Sequence, residues 1–356
     1  MKAINWILLV LTAAAVGLCA FAGYRCMSFP TEDYARQAAA LSAEAKTVKD
    51  DTLALAARLE EQEAALRSDL SRMGEDGAQA QSLLARLEEE ELEKRSQLSS
   101  LRERADLLEH LYDRTLALRD EYAGKIRQLE DMVNAGETDI KICYWTFDDG
   151  PAAMTPAILD YCAENGVYVT FFTSREANES GKGDVDEPEV LRREIMGGHS
   201  VQNHSNSHQY AKYGNLYGMG IDSFREQVKL QSDWIYECTG FRPDIFRFPG
   251  GHAHACTLLP EASMDQVLAE LGYVWIDWSC DVMDNLHANP NPATVYGRAW
   301  YQVRQMNIAV VLSHDWNGNT FEGFKRSVSA LRDIGYVFLP LFSQSWTIGN
   351  TEILFW

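Results

Sequence analysis

The sequence is poor in basic residues, and none of its cysteines form a closely spaced pair. Lysine and arginine together number 32 against 52 aspartate and glutamate residues, so the formal net charge is −20. A nucleic-acid partner calls for a basic face, and we therefore expect no nucleic-acid binding. No Cys-x-x-Cys occurs among the seven cysteines, so a structural zinc cluster built on such pairs is not indicated.

Proline is absent from the whole stretch between Pro30 and Pro151. Within it, apolar residues recur with 3-4 spacing over 41–73 and, more regularly, over 98–133, which predicts a coiled coil. Two glycines in Gly74-Glu75-Asp76-Gly77 interrupt the pattern, so we predict two helices over 31–135 with a break near 74–77. The helices form either an antiparallel hairpin or a parallel dimer. The coil is thus a candidate surface for a homodimer or a protein partner.

The amino-terminal segment, 1–25, is largely apolar after Met1 and Lys2. About 20 apolar residues are enough to span a bilayer. We therefore predict a single-pass membrane anchor with the rest of the chain outside the cytoplasm. Ala20-Phe21-Ala22 resembles a signal-peptide cleavage site, so a cleaved signal and a secreted protein remain the alternative.

Short strand patterns alternate with helical patterns over 139–345, which indicates a parallel α/β domain. Strands are predicted at 141–147, 167–172, 245–248, 273–278, 308–312 and 336–339. Helices are predicted near 155–164, 188–197, 220–237, 263–271, 292–306 and 320–334. Four reactive residues stand at predicted strand ends: Asp148, Arg247, Asp281 and His314. In an α/β barrel the active site lies at strand ends.

Two adjacent carboxylates, Asp148 and Asp149, follow the first predicted strand. Like charges a few ångströms apart repel, which disfavours ionisation of both carboxylates. A bound cation would offset that repulsion. His204 and His208 have the spacing of metal ligands. One carboxylate and two imidazoles are a suitable set of protein ligands for a catalytic divalent ion.

Five motifs, taken in order, resemble those of the polysaccharide deacetylases of the NodB-homology type, carbohydrate esterase family 4. They are Thr146-Phe147-Asp148-Asp149-Gly150-Pro151, His204-Ser205-Asn206-Ser207-His208, Arg247-Phe248-Pro249-Gly250-Gly251, a loosely matching segment from Trp278 to Asn285, and Leu312-Ser313-His314. The resemblance covers roughly 140–341 and implies a distorted (β/α) barrel. In that family an aromatic residue is common where Gly250 stands, which leaves the substrate preference open.

The resemblance also implies a role for each motif residue. It makes Asp149, His204 and His208 the ligands of a divalent ion, with zinc expected and cobalt or another divalent ion as the alternative. It makes Asp148 the general base held by Arg247, and His314 the general acid. The Gly250 amide would face the oxyanion, and Leu312 would line the acetyl pocket.

Two further residues are candidates on physical grounds alone. Asp281 is placed to orient His314 and to raise its pKa by proximity. Trp316, just past His314, is a candidate for stacking on a sugar, although a lone aromatic of this kind more often packs within its loop.

Together these patterns predict a membrane-anchored, metal-dependent enzyme that removes N-acetyl groups from a cell-envelope polysaccharide, most simply from peptidoglycan aminosugars. Two alternatives remain open. One is an O-acetyl esterase of the xylan-acting type on the same scaffold. The other is a catalytically weak, glycan-binding protein in which the coiled coil provides the main function.

Overall fold

A sheet of eight parallel strands forms the centre of the protein in the computed structural model, which describes residues 119, 122–177, 183–286, 290–345 and 347. The strands are β1 (Lys141–Gly150), β2 (Thr170–Thr173), β3 (Ser200–Asn203), β4 (Ile245–Phe246), β5 (Val274–Trp275), β6 (Cys280–Asp281), β7 (Ile308–His314) and β8 (Tyr336–Phe338). Their order is β5-β4-β3-β2-β1-β7-β6, and β8 pairs with β1 beside this path. The sheet is therefore a curled half-barrel with β5 and β6 at its edges, which confirms the parallel α/β class.

Helices connect the strands and cover the sheet. They are α1 (122–135), α2 (Thr155–Asn165), α3 (Glu187–Met196), α4 (Ile221–Thr239), α5 (His252–Ala255), α6 (Glu261–Glu270), α7 (Pro292–Val303) and α8 (Gly318–Arg332), with a short 3-10 turn at Asp284–Leu286. Local capping starts several of them. The side chains of Asp186, Asn291 and Asn317 each accept a backbone N–H from the first turn of α3, α7 and α8.

All six predicted strands and all six predicted helices are present within a few residues of their expected bounds. Strands β3 and β6 and helix α5 were not predicted. Strand β3 is polar in sequence, Ser-Val-Gln-Asn, yet fully buried, because Gln202 exchanges hydrogen bonds with Asp244 and with the backbone of Ile245. Strand β6 has two residues, too few for an alternating pattern.

Helix α1 packs on the sheet at the amino-terminal ends of its strands. Ala123, Ile126, Leu129 and Val133 share one buried cluster with residues of the sheet, among them Tyr144. The Tyr144 hydroxyl donates a 2.7 Å hydrogen bond to the buried carboxylate of Glu130. The last turns of the predicted coiled coil thus belong, in the described residues, to the folded α/β unit.

The predicted anchor over 1–25 and the predicted coiled coil up to residue 118 lie outside the described residues. Within the described part of the chain, no helix combines the length and the apolar character needed to cross a bilayer.

Candidate metal and catalytic site

Strands β1 and β7 place two of the predicted catalytic residues side by side. Their parallel register pairs Asp148 with His314 and Thr146 with Leu312. Because alternate residues of a strand face the same side, Leu312 and His314 share a face with Thr146 and Asp148. The carboxyl ends of these two neighbouring strands therefore carry the predicted base and the predicted acid.

Asp149 faces two histidines. Its Oδ1 atom lies 3.1 Å from Nε2 of His208 and 3.7 Å from Nε2 of His204. This oxygen is buried and has no hydrogen-bond partner among the described residues. An orphaned carboxylate oxygen facing two imidazole nitrogens fits the ligand set of a divalent ion. The three predicted ligands thus form one cluster.

The loop that carries both histidines is held by side chains from neighbouring elements. Ser205 and His208 have positive φ angles of 68° and 55°. The side-chain oxygen of Asn203 accepts the backbone N–H of Ser205, and Gln227 of α4 accepts that of Ser207. Gln227 was not predicted, since nothing in the spacing of an amphipathic helix distinguishes it.

His204 is oriented by the backbone of the third motif. Its Nδ1 lies 2.8 Å from the carbonyl oxygen of Arg247, and that contact requires the nitrogen to carry the proton. Nε2 is then left with a lone pair directed at the carboxylates. Burial lowers the pKa of both His204 and His208, and the proximity of the two rings adds to the effect on His204. Neutral imidazoles are the form that binds a metal.

Arg247 is fully buried and holds Asp148, as predicted. Its Nη1 atom donates to Oδ1 of Asp148 at 2.9 Å and also to the hydroxyl of Thr146. Its Nη2 atom donates to the carbonyl of Asp277 at 3.1 Å, and the guanidinium stacks over the Phe172 ring at 4.0 Å. A buried charge is tolerated when its donors are matched in this way.

Asp148 retains a basic oxygen beside the ligand cluster. Its Oδ2 lies 3.6 Å from Nε2 of His204, while Oδ1 is occupied by Arg247. Burial raises the pKa of Asp148 to about 6, although Arg247 and His314 oppose the rise. Both carboxylates thus lie within 3.7 Å of His204, and they differ in their other partner, which is His208 for Asp149 and Arg247 for Asp148.

His314 is held by Asp284 and not by Asp281, so the prediction for Asp281 is wrong in its partner. Nδ1 of His314 lies 2.8 Å from Oδ1 of Asp284. The Asp281 carboxylate instead accepts the backbone N–H of Met283, a residue with a φ angle of 52°. Burial alone would lower the pKa of His314, but Asp284, Asp149 and Asp148 together raise it to about 10.

The remaining predicted residues surround this cluster. Leu312 is buried, and the Trp316 ring meets the His314 ring edge-on at 5.5 Å between centroids. Gly250 has a φ angle of 76°, and a Cβ atom there would lie 2.9 Å from the Tyr210 ring. Tyr210 also meets His208 at 5.1 Å between ring centroids, so an unpredicted aromatic stands between Gly250 and the ligand loop.

The comparisons with known proteins match the same region of the chain, the part that contains the α/β fold and the site. Residues 135–275 match the family model described as Polysaccharide deacetylase. The chain is 28% identical over 209 residues to the peptidoglycan-N-acetylglucosamine deacetylase PgdA of Listeria monocytogenes. This alignment covers 58% of this chain and 40% of that protein. The chain is also 30% identical over 178 residues to a chitin deacetylase of Arthroderma benhamiae. That alignment covers 50% of this chain and 44% of the chitin deacetylase. The chain thus spans less than half the length of these relatives.

Two solved structures share the fold. The catalytic domain of peptidoglycan N-acetylglucosamine deacetylase from Eubacterium rectale has a TM-score of 0.50 at 28% identity and covers 58% of this chain and 90% of that one. The polysaccharide deacetylase Bc1974 from Bacillus cereus has a TM-score of 0.50 at 25% identity, with coverage of 58% and 94%.

Fold and site together define a parallel α/β half-barrel whose strand ends carry a candidate metal cluster. Over residues 135–275 the chain is similar to the polysaccharide deacetylase family. The matched residues include Asp148, Asp149, both ligand histidines and Arg247, whereas His314 and Asp284 lie beyond them.

Proposed function

We propose that this protein is a metal-dependent deacetylase that removes N-acetyl groups from a cell-envelope polysaccharide, with peptidoglycan aminosugars as the substrate. One observation carries the proposal. The adjacent carboxylates have different partners, since Asp149 contacts His208 while Arg247 holds Asp148, and this difference supports separate roles for the two. The relatives named as peptidoglycan N-acetylglucosamine deacetylases support the choice of substrate.

Asp149, His204 and His208 would hold the ion. When bound, a divalent ion of the zinc class supplies Lewis-acid chemistry and lowers the pKa of water to about 7. Two imidazoles and one carboxylate with an open position form a set that catalytic zinc uses, and cobalt or another divalent ion binds the same donors.

The protein's own residues carry out the proton transfers. Asp148 takes the proton of the attacking water on its free oxygen, Oδ2, because Oδ1 is engaged by Arg247. His314 delivers a proton from Nε2 to the leaving amine, because its Nδ1 is bound to Asp284. The Gly250 amide is our candidate donor to the acetyl oxygen as negative charge develops there. Leu312, on the His314 face of β7, is the candidate wall of the acetyl pocket.

Release of acetate by the full chain tests the proposal. We expect acetate from N-acetylglucosamine oligomers and from peptidoglycan, and we expect chelation or Asp148→Asn to abolish it. Asp139→Asn, an exposed position just before the same strand, is the matched control and should retain activity. O-acetylated xylan run in parallel separates the esterase alternative. Metal-loaded protein that releases no acetate from any aminosugar polymer would refute the proposal.

The same proposal places the catalytic region outside the cytoplasm. Its support is the apolar segment over 1–25 and the 3-4 spacing over 31–135, which together would anchor the domain and hold it away from the membrane. The coil would pair within the chain or with a second chain. Protease digestion of intact, wall-stripped cells tests the location, because an extracytoplasmic domain is cleaved and a cytoplasmic one is protected.

A further inference from the structure

Three side chains outside the catalytic cluster converge between helices α5 and α6. His252 is the first residue of α5, Cys256 caps its carboxyl end, and Glu261 is the first residue of α6. One ligand atom from each lies within 4.8 Å of those from the other two. This group shares no residue with the cluster of Asp149, His204 and His208.

The contacts in this group meet at the His252 ring. Sγ of Cys256 lies 3.4 Å from Nε2 of His252, and Oε1 of Glu261 lies 3.7 Å from the same nitrogen. One ring nitrogen cannot form a linear hydrogen bond with both partners at once. A nucleophilic cysteine triad would instead need the carboxylate at Nδ1, on the other side of the ring. A thiol and a carboxylate beside one imidazole are instead the donor types of a shared zinc-class cation.

The distances agree with that interpretation. Tetrahedral zinc has bonds of about 2.3 Å to sulfur and about 2.0 Å to nitrogen or oxygen, which place sulfur about 3.5 Å and oxygen about 3.3 Å from the nitrogen. The structure has 3.4 Å and 3.7 Å for these two separations. Sγ also lies 3.9 Å from Nδ1, beside the ring, so a change of the Cys256 rotamer is needed to bring the sulfur in front of Nε2 and onto an ion shared with Glu261.

Surrounding residues hold the imidazole in place. The His252 ring stacks on the indole of Trp275 at 3.9 Å between centroids and 17° between planes. The backbone N–H of His252 donates to the Asp277 carboxylate at 3.1 Å. Glu261 is largely exposed, so water can reach the remaining coordination position. An ordered ring beside a thiol and a mobile carboxylate is a preformed half of a metal site.

We propose that His252, Cys256 and Glu261 bind a second divalent ion of the zinc class, separate from the candidate catalytic ion. Bound there, the ion joins α5 to α6, and α5 follows in the chain directly after the segment that carries Arg247 and Gly250. Its role is to stabilise that segment. The thiolate and the carboxylate neutralise its charge, and a donor set of nitrogen, sulfur and oxygen favours zinc over magnesium or calcium.

Cobalt(II) substitution of the full chain tests this proposal independently of any activity. A cobalt–thiolate bond produces a charge-transfer band in the near ultraviolet, and the candidate catalytic ligands contain no sulfur. We expect about two cobalt ions per wild-type chain together with this band. Cys256→Ser should lose the band and one ion. Glu261→Gln, at an exposed position, should weaken the second site without endangering the fold.

Two control variants make the assignment specific. His208→Ala should lose the other ion and keep the thiolate band, while Cys238→Ser, a buried cysteine of α4, should change neither ion. Circular dichroism establishes that each variant is folded. The proposal is overturned if cobalt-loaded wild-type chain shows no thiolate band, or if the band survives Cys256→Ser; a single bound cobalt that shows the band would instead count against the candidate catalytic ion.

Discussion

The carboxylate of Asp284 holds His314 at two points. Oδ1 lies 2.8 Å from the ring nitrogen Nδ1, and Oδ2 accepts the backbone N–H of the same histidine at 2.8 Å. A carboxylate in this position selects the tautomer of the ring and stabilises its protonated form. Nε2 is thereby aimed at the catalytic cluster, where it lies 3.9 Å from Oδ2 of Asp149.

Asp284→Asn should therefore lower kcat for acetate release by about 100-fold, since a positioned general acid contributes about 10²–10⁴-fold. KM and bound metal should change little, and Asp284→Glu should recover part of the activity. Asp281→Asn is the matched control, because its carboxylate accepts only the nearby N–H of Met283 in the described hydrogen bonds. Equal losses in the two asparagine variants would contradict the assignment.

The two adjacent aspartates should separate metal binding from catalysis. Asp149→Ala removes a candidate ligand and should reduce metal binding and activity together. Asp148→Asn keeps the ligand set and should retain the metal while losing at least about 100-fold in kcat. Metal analysis of the purified variants beside the acetate assay measures both effects. Loss of the ion from both variants would mean that both carboxylates are ligands.

Gly250 should tolerate no side chain, for a reason beyond its backbone angle. Gly250→Ala adds a Cβ atom 2.9 Å from the Tyr210 ring, so the loop or the ring must move. We expect kcat/KM to fall by about 10-fold or more if the Gly250 amide faces the acetyl oxygen. Gly272→Ala, at a φ of +80° with nothing within 4 Å of its added Cβ, isolates the backbone cost. That control should lose about 1 kcal/mol of stability and keep its activity.

Helix α1 should contribute strongly to the stability of the sheet. Ile126→Ala creates a cavity in the cluster beneath the strands and should cost about 2–5 kcal/mol of unfolding free energy. Gln128→Ala, on the exposed face of the same helix, should be nearly neutral. Denaturant unfolding of the two variants measures the difference. A similarly small effect in both would show that α1 does not support the fold.

Glu194 is buried, and neither of its carboxylate oxygens has a hydrogen-bond partner among the described residues. Burial raises the pKa of Glu194 well above its usual value, and Asp315 adds to the rise. The unfolded chain therefore loses this proton first, at about pH 4, and the folded state becomes progressively less stable as pH rises from there.

Glu194→Gln should accordingly raise the melting temperature near pH 8 and leave it unchanged near pH 3.5, where the wild-type carboxyl is protonated in both states. Glu189→Gln, at a half-buried position of the same helix, serves as the control. A gain that is equal at both pH values would exclude an ionisation effect.

Much of the fold was predictable because its evidence is local in the sequence. Buried strands such as β1 and β7 are continuous apolar runs, and α4 and α8 repeat apolar residues with helical spacing. The short strands β3 and β6 were missed because their burial depends on partners far along the chain. Gln202 can be buried only because Asp244 and the backbone of Ile245 satisfy its amide.

The sequence by itself determined the parallel α/β class, since alternating strand and helix patterns carry that information. It also indicated Asp149, His204 and His208 as a candidate ligand set, through the resemblance of their motifs to those of a known family. The tertiary structure decided which side chains meet. Asp284 holds His314, Gln227 supports the ligand loop, and Cys256 meets Glu261 beside His252. Asp281 ends β6 and Asp284 begins the 3-10 turn three residues later, and only Asp284 bonds to His314. Which of the two aspartates meets His314 depends on the path of the backbone, and the spacing of residues in the sequence does not encode that path.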